Sequence, residues 1–419
     1  MPKENVIKLP ETPPVLDPAL MATIDKEIGP AFPDDPLVKR YNLSNFFRDA
    51  KVQGKRHKLT MSSKDSKIYP GVAPVKGWDK QLQKIAEDHE IHGAFGGVDH
   101  FKCLACNAST PQISKPQAYK REVEVFVPAG VDTTKSSPFM IFLDGTMDEF
   151  VGQLTPVFRL ARKLCCCCCP GAGGTSADKI SALLTMDNLF KEKQLEPMVC
   201  IFLNPGDNGF GLWGAQRNLE YDNANSKFTD FVEQEVLPFV SKKCGLLLST
   251  DPGQRAVMGS SSGGNAAIAM GLTGRFNRVL ALSPSCVNLG YPYNPEVPLQ
   301  GWDYHSGKEL IKNGDKVEGL RVVVVTCELD LCYQSDVKHS FNWPVAALRT
   351  AKALKEKGYA CLHIFAKEGV HVDPRTMAHC FPEAVKWVWA NTPGADCNTP
   401  DVQSAPGQVK PNQVAPAPP

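Results

Sequence analysis

The chain has 419 residues, of which 42% are hydrophobic, and its 46 Lys and Arg face 45 Asp and Glu for a formal net charge of +1. That composition supplies a large core and excludes a global field able to gather nucleic acid or an anionic membrane. No run of about 18 apolar residues occurs, so no stable membrane insertion is expected, and the start MPKENVIKLPETPP lacks the apolar stretch of a secretory signal. A cytoplasmic location follows as the expectation.

In chain order, residues 1 to 20 are Pro-rich and residues 393 to 419 are dominated by Pro, Gln, Ala and Asn. Neither end can bury enough apolar surface to offset its ordering entropy, which predicts disordered tails. Residues 21 to 115 form an N-terminal extension of mixed pattern, with a helical stretch near Trp78 to His89 and no alternation of strand and helix. That pattern specifies no architecture. His89, His92, His100, Cys103 and Cys106 are all of zinc-ligand type, but a single CxxC without a second pair is a weak metal signal, and packing or surface roles are favoured. No metal and no cofactor are expected.

From about residue 116 to 392 the pattern sharpens. REVEVFVP (121 to 128) alternates and reads as an edge-type strand, whereas PFMIFLDG, MVCIFLNP, RAVMGSSSGG, RVLALSPS and RVVVVTCELD are short continuous apolar runs suited to strands buried on both faces. Helical patterns separate them: ADKISALLTMDNLFKEKQ, KFTDFVEQEVLPFVSKKC, GNAAIAMGLTGRF, NWPVAALRTAKALKEKG and PEAVKWVWA. Such alternation predicts an α/β fold with a mostly parallel central sheet and helices on both faces, whose site lies beyond the carboxyl ends of the strands. Residues 159 to 178, with the block Cys165 to Cys169, interrupt this domain as a low-complexity insertion; basic residues before clustered cysteines also permit S-acylation, the less favoured reading. The remaining cysteines of the 15 lie mostly in apolar segments and are read as reduced thiols.

Gly259-Ser260-Ser261-Ser262-Gly263 follows one strand and precedes a helix, the context in which G-x-S-x-G forms a nucleophile elbow. Ser261 is the candidate nucleophile. A serine hydroxyl needs a base, and in this architecture the chain order is Ser, acid, His, each at the end of a later strand. The strand Val322 to Val325 leads to Glu328 and Asp330, of which Asp330 is the preferred acid and Glu328 the alternative. The strand Cys361 to Ala366 leads to His371, the one histidine of nine that follows the last strand before a final helix. The oxyanion needs donors: the backbone N–H of Ser262, and one from the loop Asp144-Gly145-Thr146, where Gly145 is the candidate and a plain turn role is nearly as favoured.

These residues carry a resemblance. From about Tyr119 to Ala390, FLDGT, IFLNPG, RNLEYD, FVEQEVLPFV, RAVMGSSSGGNAA, NWPVAAL and EGVH before PEAVKWVW occur in an order that resembles the "Putative esterase" family of α/β-hydrolases. That family includes enterochelin esterases, feruloyl esterases, S-formylglutathione hydrolases and mycolyltransferases. The resemblance implies an α/β-hydrolase fold, a carboxylic ester hydrolase acting on a small-molecule ester, and the triad Ser261, Asp330 and His371. It also implies that Arg217, Glu220 and Tyr221 line or support the substrate pocket, weighed equally against an Arg–Glu pair at a helix start, and that Trp343 packs near the acid loop. SKIYPGVAP resembles the family strand preceding the hydrolase core. An acyltransferase using the same acyl-enzyme, or an inactive scaffold on the same fold, are the alternatives.

Overall fold

The computed structural model describes residues 52–71, 118–145, 147, 181–206, 217, 220–288, 299–333 and 340–390. The tails, the Trp78 to His89 stretch, the zinc-type cluster, Thr146 and the cysteine-rich insertion lie outside these residues.

Ten strands are present among them: β1 (Gly54–Ser62), β2 (Lys120–Pro128), β3 (Ser136–Ser137), β4 (Phe139–Leu143), β5 (Val199–Leu203), β6 (Leu247–Leu248), β7 (Arg255–Ser260), β8 (Arg278–Leu282), β9 (Arg321–Leu329) and β10 (Ala360–Val370). β3 and β6 form a two-stranded pair, and the others form one sheet in the order β1-β2-β5-β4-β7-β8-β9-β10. β2 runs antiparallel to both neighbours, and all the remaining pairs are parallel. This is an α/β-hydrolase fold.

The continuous apolar runs are explained by burial on both faces. Along β4, Phe139, Ile141 and Leu143 join one core while Met140 and Phe142 join the other. β9 does the same with Val322 and Val324 against Val323 and Val325. The first core is closed by the helices Ser262–Leu272 and Trp343–Glu356 and by the helical segment from Lys227 to Cys244; the second is closed by Ala182–Lys191 and Pro374–Trp389. Local chemistry sets the starts of these helices. The Ser181 hydroxyl accepts from Leu184 N–H at 3.3 Å, and Asn342 Oδ1 accepts from Val345 N–H at 3.2 Å with Pro344 in the first turn.

Four details differ from the sequence expectations. β2 is not an edge strand, because β1 pairs along its whole length and takes the edge. The strand before the core is GKRHKLTMS; Ser66–Gly71 of the SKIYPGVAP stretch forms bends rather than a strand. The final helix begins at Pro374, with Pro382 inside it, rather than at Pro382. Lastly, β10 continues past Ala366 through a bulge to Val370: Cys327 and Leu329 of β9 face Ala366 and Val370, so two extra residues are absorbed on β10. A bulge re-aims the end of its strand, and the end of this one delivers His371.

The segment around β1 is held from two sides. Gln53 N–H reaches the Asp187 carboxylate at 3.2 Å, and Lys67 and Ile68 N–H donate to Glu235 Oε1 at 2.9 and 3.1 Å. Glu235 lies in the π-helical turn Val232–Val236, which also presents Glu233 to Arg255 of β7. No helix among the described residues is long and apolar enough to cross a membrane.

Candidate active site

β7 ends at Ser260, and Ser261 adopts φ 58°, ψ −125° before the helix Ser262–Leu272 begins. Such a backbone costs about 1–3 kcal/mol in a non-glycine residue and persists only where its surroundings dictate it. The glycines make the turn sterically feasible: a Cβ on Gly259 would lie 2.1 Å from the Gly263 carbonyl oxygen. Main-chain bonds pin the elbow, with Ser261 N–H donating to Leu282 O at 3.0 Å and Ser285 N–H donating to Ser261 O at 3.0 Å.

The ends of β9 and β10 converge on this elbow. His371 Nε2 lies 3.2 Å from Ser261 Oγ, and His371 Nδ1 lies 2.5 Å from Asp330 Oδ1. A carboxylate can only accept, so Nδ1 carries the proton and Nε2 is left to accept from the serine hydroxyl. Both ring nitrogens are thereby occupied, which leaves Glu328 without a place on His371. Asp330 is buried and its orientation is fixed by a second bond, 2.7 Å from Leu331 N–H to the same oxygen. Trp343 packs its ring edge-on to the imidazole, with centroids 4.8 Å apart at 83°, and its backbone N–H donates to Leu331 O at 3.2 Å. On the far side, Val372 N–H donates to Ser283 Oγ at 3.2 Å, although Val372 and Ser283 both carry positive φ (51° and 43°).

Ser262 is the first residue of its helix, so its N–H has no intrahelical acceptor. Gly145 follows β4, and continuing the parallel β4–β7 register, Phe142 opposite Met258, puts it abreast of Ser261.

The polar atoms of Arg217, Glu220 and Tyr221 bond to protein. Arg217 Nε is 3.1 Å from both Asp144 oxygens, its Nη2 is 2.5 Å from Asp144 Oδ2, and its Nη1 donates to Ser262 Oγ at 2.8 Å. Burial is the largest single influence and works against this charge, but the charge and hydrogen bonds of Asp144, joined by Asp222 and Tyr221, together raise the guanidinium pKa. Glu220 is paired instead with Arg121 of β2, by bonds of 2.7 and 2.5 Å, and both are almost fully buried. Tyr221 is buried with its hydroxyl donating to Leu203 O at 3.2 Å.

Two residues of this network escaped the sequence reading. In the sequence Asp144 stands out only as part of the loop holding Gly145. Asp222, the last residue of RNLEYD, accepts from Ser285 Oγ at 2.8 Å; burial pushes its carboxyl up to about 6, against the pull of Arg217 and of the Ser285 and Ser262 hydroxyls. Membership of the same motif as Arg217 was the signal that could have found Asp222.

A family profile described as "Putative esterase" matches residues 117–357, more than half of the chain. The chain belongs to the "Putative esterase" family. No curated protein matches it. Among solved structures, it is similar to the enterobactin esterase of Shigella flexneri in the presence of enterobactin, at 20% identity over 64% of this chain and 54% of that one, with a TM-score of 0.39. It is similar also to a ferulic acid esterase, at 18% identity over 64% and 92% with a TM-score of 0.42. A third, the ferulic acid esterase of the anaerobic fungus Anaeromyces mucronatus, gives 14% over 66% and 86% with a TM-score of 0.38. The chain spans about half the length of the enterobactin esterase it matches.

Proposed function

We propose that this member of the esterase family hydrolyses carboxylic esters of small molecules through an acyl-enzyme on Ser261. The observation that carries the reading is the unbroken polar chain from Ser261 Oγ through both nitrogens of His371 to Asp330. In the first step Ser261 Oγ attacks the acyl carbonyl while His371 Nε2 takes its proton; Asp330 holds the tautomer and stabilises the imidazolium. The oxyanion is received by the N–H of Ser262 and a donor of the Gly145 loop. Collapse expels the alcohol, which takes the proton back from Nε2. Water, activated by the same nitrogen, then releases the acid and restores the hydroxyl.

The seven described cysteines are all free thiols, five of them buried, which accords with a reducing compartment such as the cytoplasm. Burial raises the pKa of every one of them.

Ser261→Ala tests the reading. The variant is expected to keep the parental melting temperature, to lose p-nitrophenyl ester hydrolysis by several orders of magnitude, and to lose labelling by a fluorophosphonate. Parental turnover in that variant refutes the assignment. A panel of short-chain, feruloyl, catecholate and thioester substrates then defines the acyl group, and added acceptor alcohols measure the partition between hydrolysis and transfer.

A further inference from the structure

Arg217 stands outside the Ser–His–Asp relay, and its bonds to the protein span two separate loops. One branch clamps Asp144, the residue immediately before Gly145; the other holds the hydroxyl of Ser262. The side chain is only 12% exposed and that of Asp144 only 4%. The two loops it joins are those on which the hydrolase reading places the oxyanion donors. Each contains a non-glycine residue at positive φ, 60° at Asp144 and 58° at Ser261, a backbone state that needs external support.

The clamp is also buttressed. The Asp144 carboxylate packs against the elbow so closely that a Cβ on Gly263 would lie 3.2 Å from its Oδ2. Five residues along from Arg217, Asp222 takes the Ser285 hydroxyl, and Asn265 Nδ2 of the elbow helix donates to Tyr221 O at 2.6 Å. Arg217, Tyr221 and Asp222 thus brace the elbow at several points, and Arg217 bridges from it to the end of β4. A planar guanidinium can grip a carboxylate along two edges while a third nitrogen reaches elsewhere; an ammonium cannot.

We propose that Arg217 is a positioning residue that sets the spacing between the two oxyanion donors, rather than a contact to the acyl group. The inference rests on the hydrolase reading above. It makes Arg217 matter most when charge develops on the carbonyl oxygen, and little when the ground-state ester binds.

The test compares parent, Arg217→Lys, Arg217→Ala and Ser262→Ala on p-nitrophenyl acetate, butyrate and octanoate. Ser262→Ala removes one end of the brace and keeps the backbone N–H, so it answers the question even where an Arg217 variant fails to fold. Both Arg217 variants are expected to lose about ten- to hundredfold in kcat, by the same factor on all three esters, with KM within about twofold. Ser262→Ala is expected to show a smaller loss of the same kind. Affinity for a trifluoromethyl ketone, which places an oxyanion in the site, is expected to fall in parallel with kcat, and methylguanidinium to restore part of the rate of Arg217→Ala. A rise in KM at constant kcat, a loss that depends on acyl length, or parental kinetics in Arg217→Lys overturns the proposal while leaving hydrolysis intact. A parent that turns over none of the esters removes the hydrolase reading and this inference together.

Discussion

Asp330 reaches His371 on the ring nitrogen opposite the one that faces Ser261, at 2.5 Å, and so decides which nitrogen bears hydrogen. Asp330→Asn reverses that decision, because an amide can donate to Nδ1 and leave Nε2 protonated toward the serine. A fall in kcat of about 10⁴ with an unchanged fold is expected. Steady-state kinetics on p-nitrophenyl butyrate check it; a loss below tenfold contradicts the assigned role of Asp330.

The elbow glycines should rank by what surrounds them. A Cβ at position 259 meets main-chain atoms of Gly263 at 2.1 and 2.3 Å, whereas one at 263 meets the Asp144 carboxylate at 3.2 Å. Main chain in a strained turn cannot retreat, so Gly259→Ala is expected to destabilise by about 3 kcal/mol or more. Gly263→Ala is expected to fold and to lose activity by displacing Asp144. Urea unfolding of both variants tests the order, and equal stabilities contradict it.

Glu220 supplies a contrast between substrate contact and architecture. It shares its two oxygens with a buried Arg121 that also donates to Asn204 O at 2.7 Å. Glu220→Gln leaves a buried cation underpaired and is expected to cost about 3–5 kcal/mol of stability, with KM unaltered. Thermal melts and kinetics at 20 °C separate these outcomes: a raised KM at parental stability points to a pocket role instead.

The pH dependence of stability has two opposed contributions. Asp222 sits at about 6 against an ordinary 3.8 because of its burial, so between those values the folded chain keeps a proton that the unfolded chain has released. Its contribution is full below about pH 4 and is lost as the pH rises through 6. His305 and His363, lowered by burial to about 3 against 6.5, act in the other direction. Their contribution is full above about pH 6.5 and is lost as the pH falls toward 3. Asp222→Asn is therefore expected to raise the melting temperature at pH 8 more than at pH 4. An equal change at both pH values contradicts the burial of an ionised carboxylate.

The central strands were legible because both of their faces are dry, so that Phe139–Leu143 and Val322–Val325 are apolar without interruption. The edge was not. GKRHKLTMS offers only Leu59 and Met61 to the core and otherwise resembles a loop. β2 has the pattern of an edge for a related reason: Arg121 and Glu124 break its apolar run, yet both are buried, Arg121 on Glu220 and Glu124 accepting from Met147 N–H at 2.7 Å. The polar run Lys367–Gly369 concealed the bulge of β10. At the site, chain order placed Ser261, Asp330 and His371 on successive strand ends, but nothing in local spacing could join Asp144 to Arg217, which lie 73 positions apart.

The place of β1 at the margin of the sheet bears on how small a working fragment can be. The family match starts at residue 117, yet the partner that covers the outer backbone of β2 comes from residues 54 to 62. A fragment begun at the family boundary would present nine residues of naked β2 ladder to solvent, a template for self-association. Soluble expression therefore calls for a start upstream of Val52, so that the fragment carries its own protective strand.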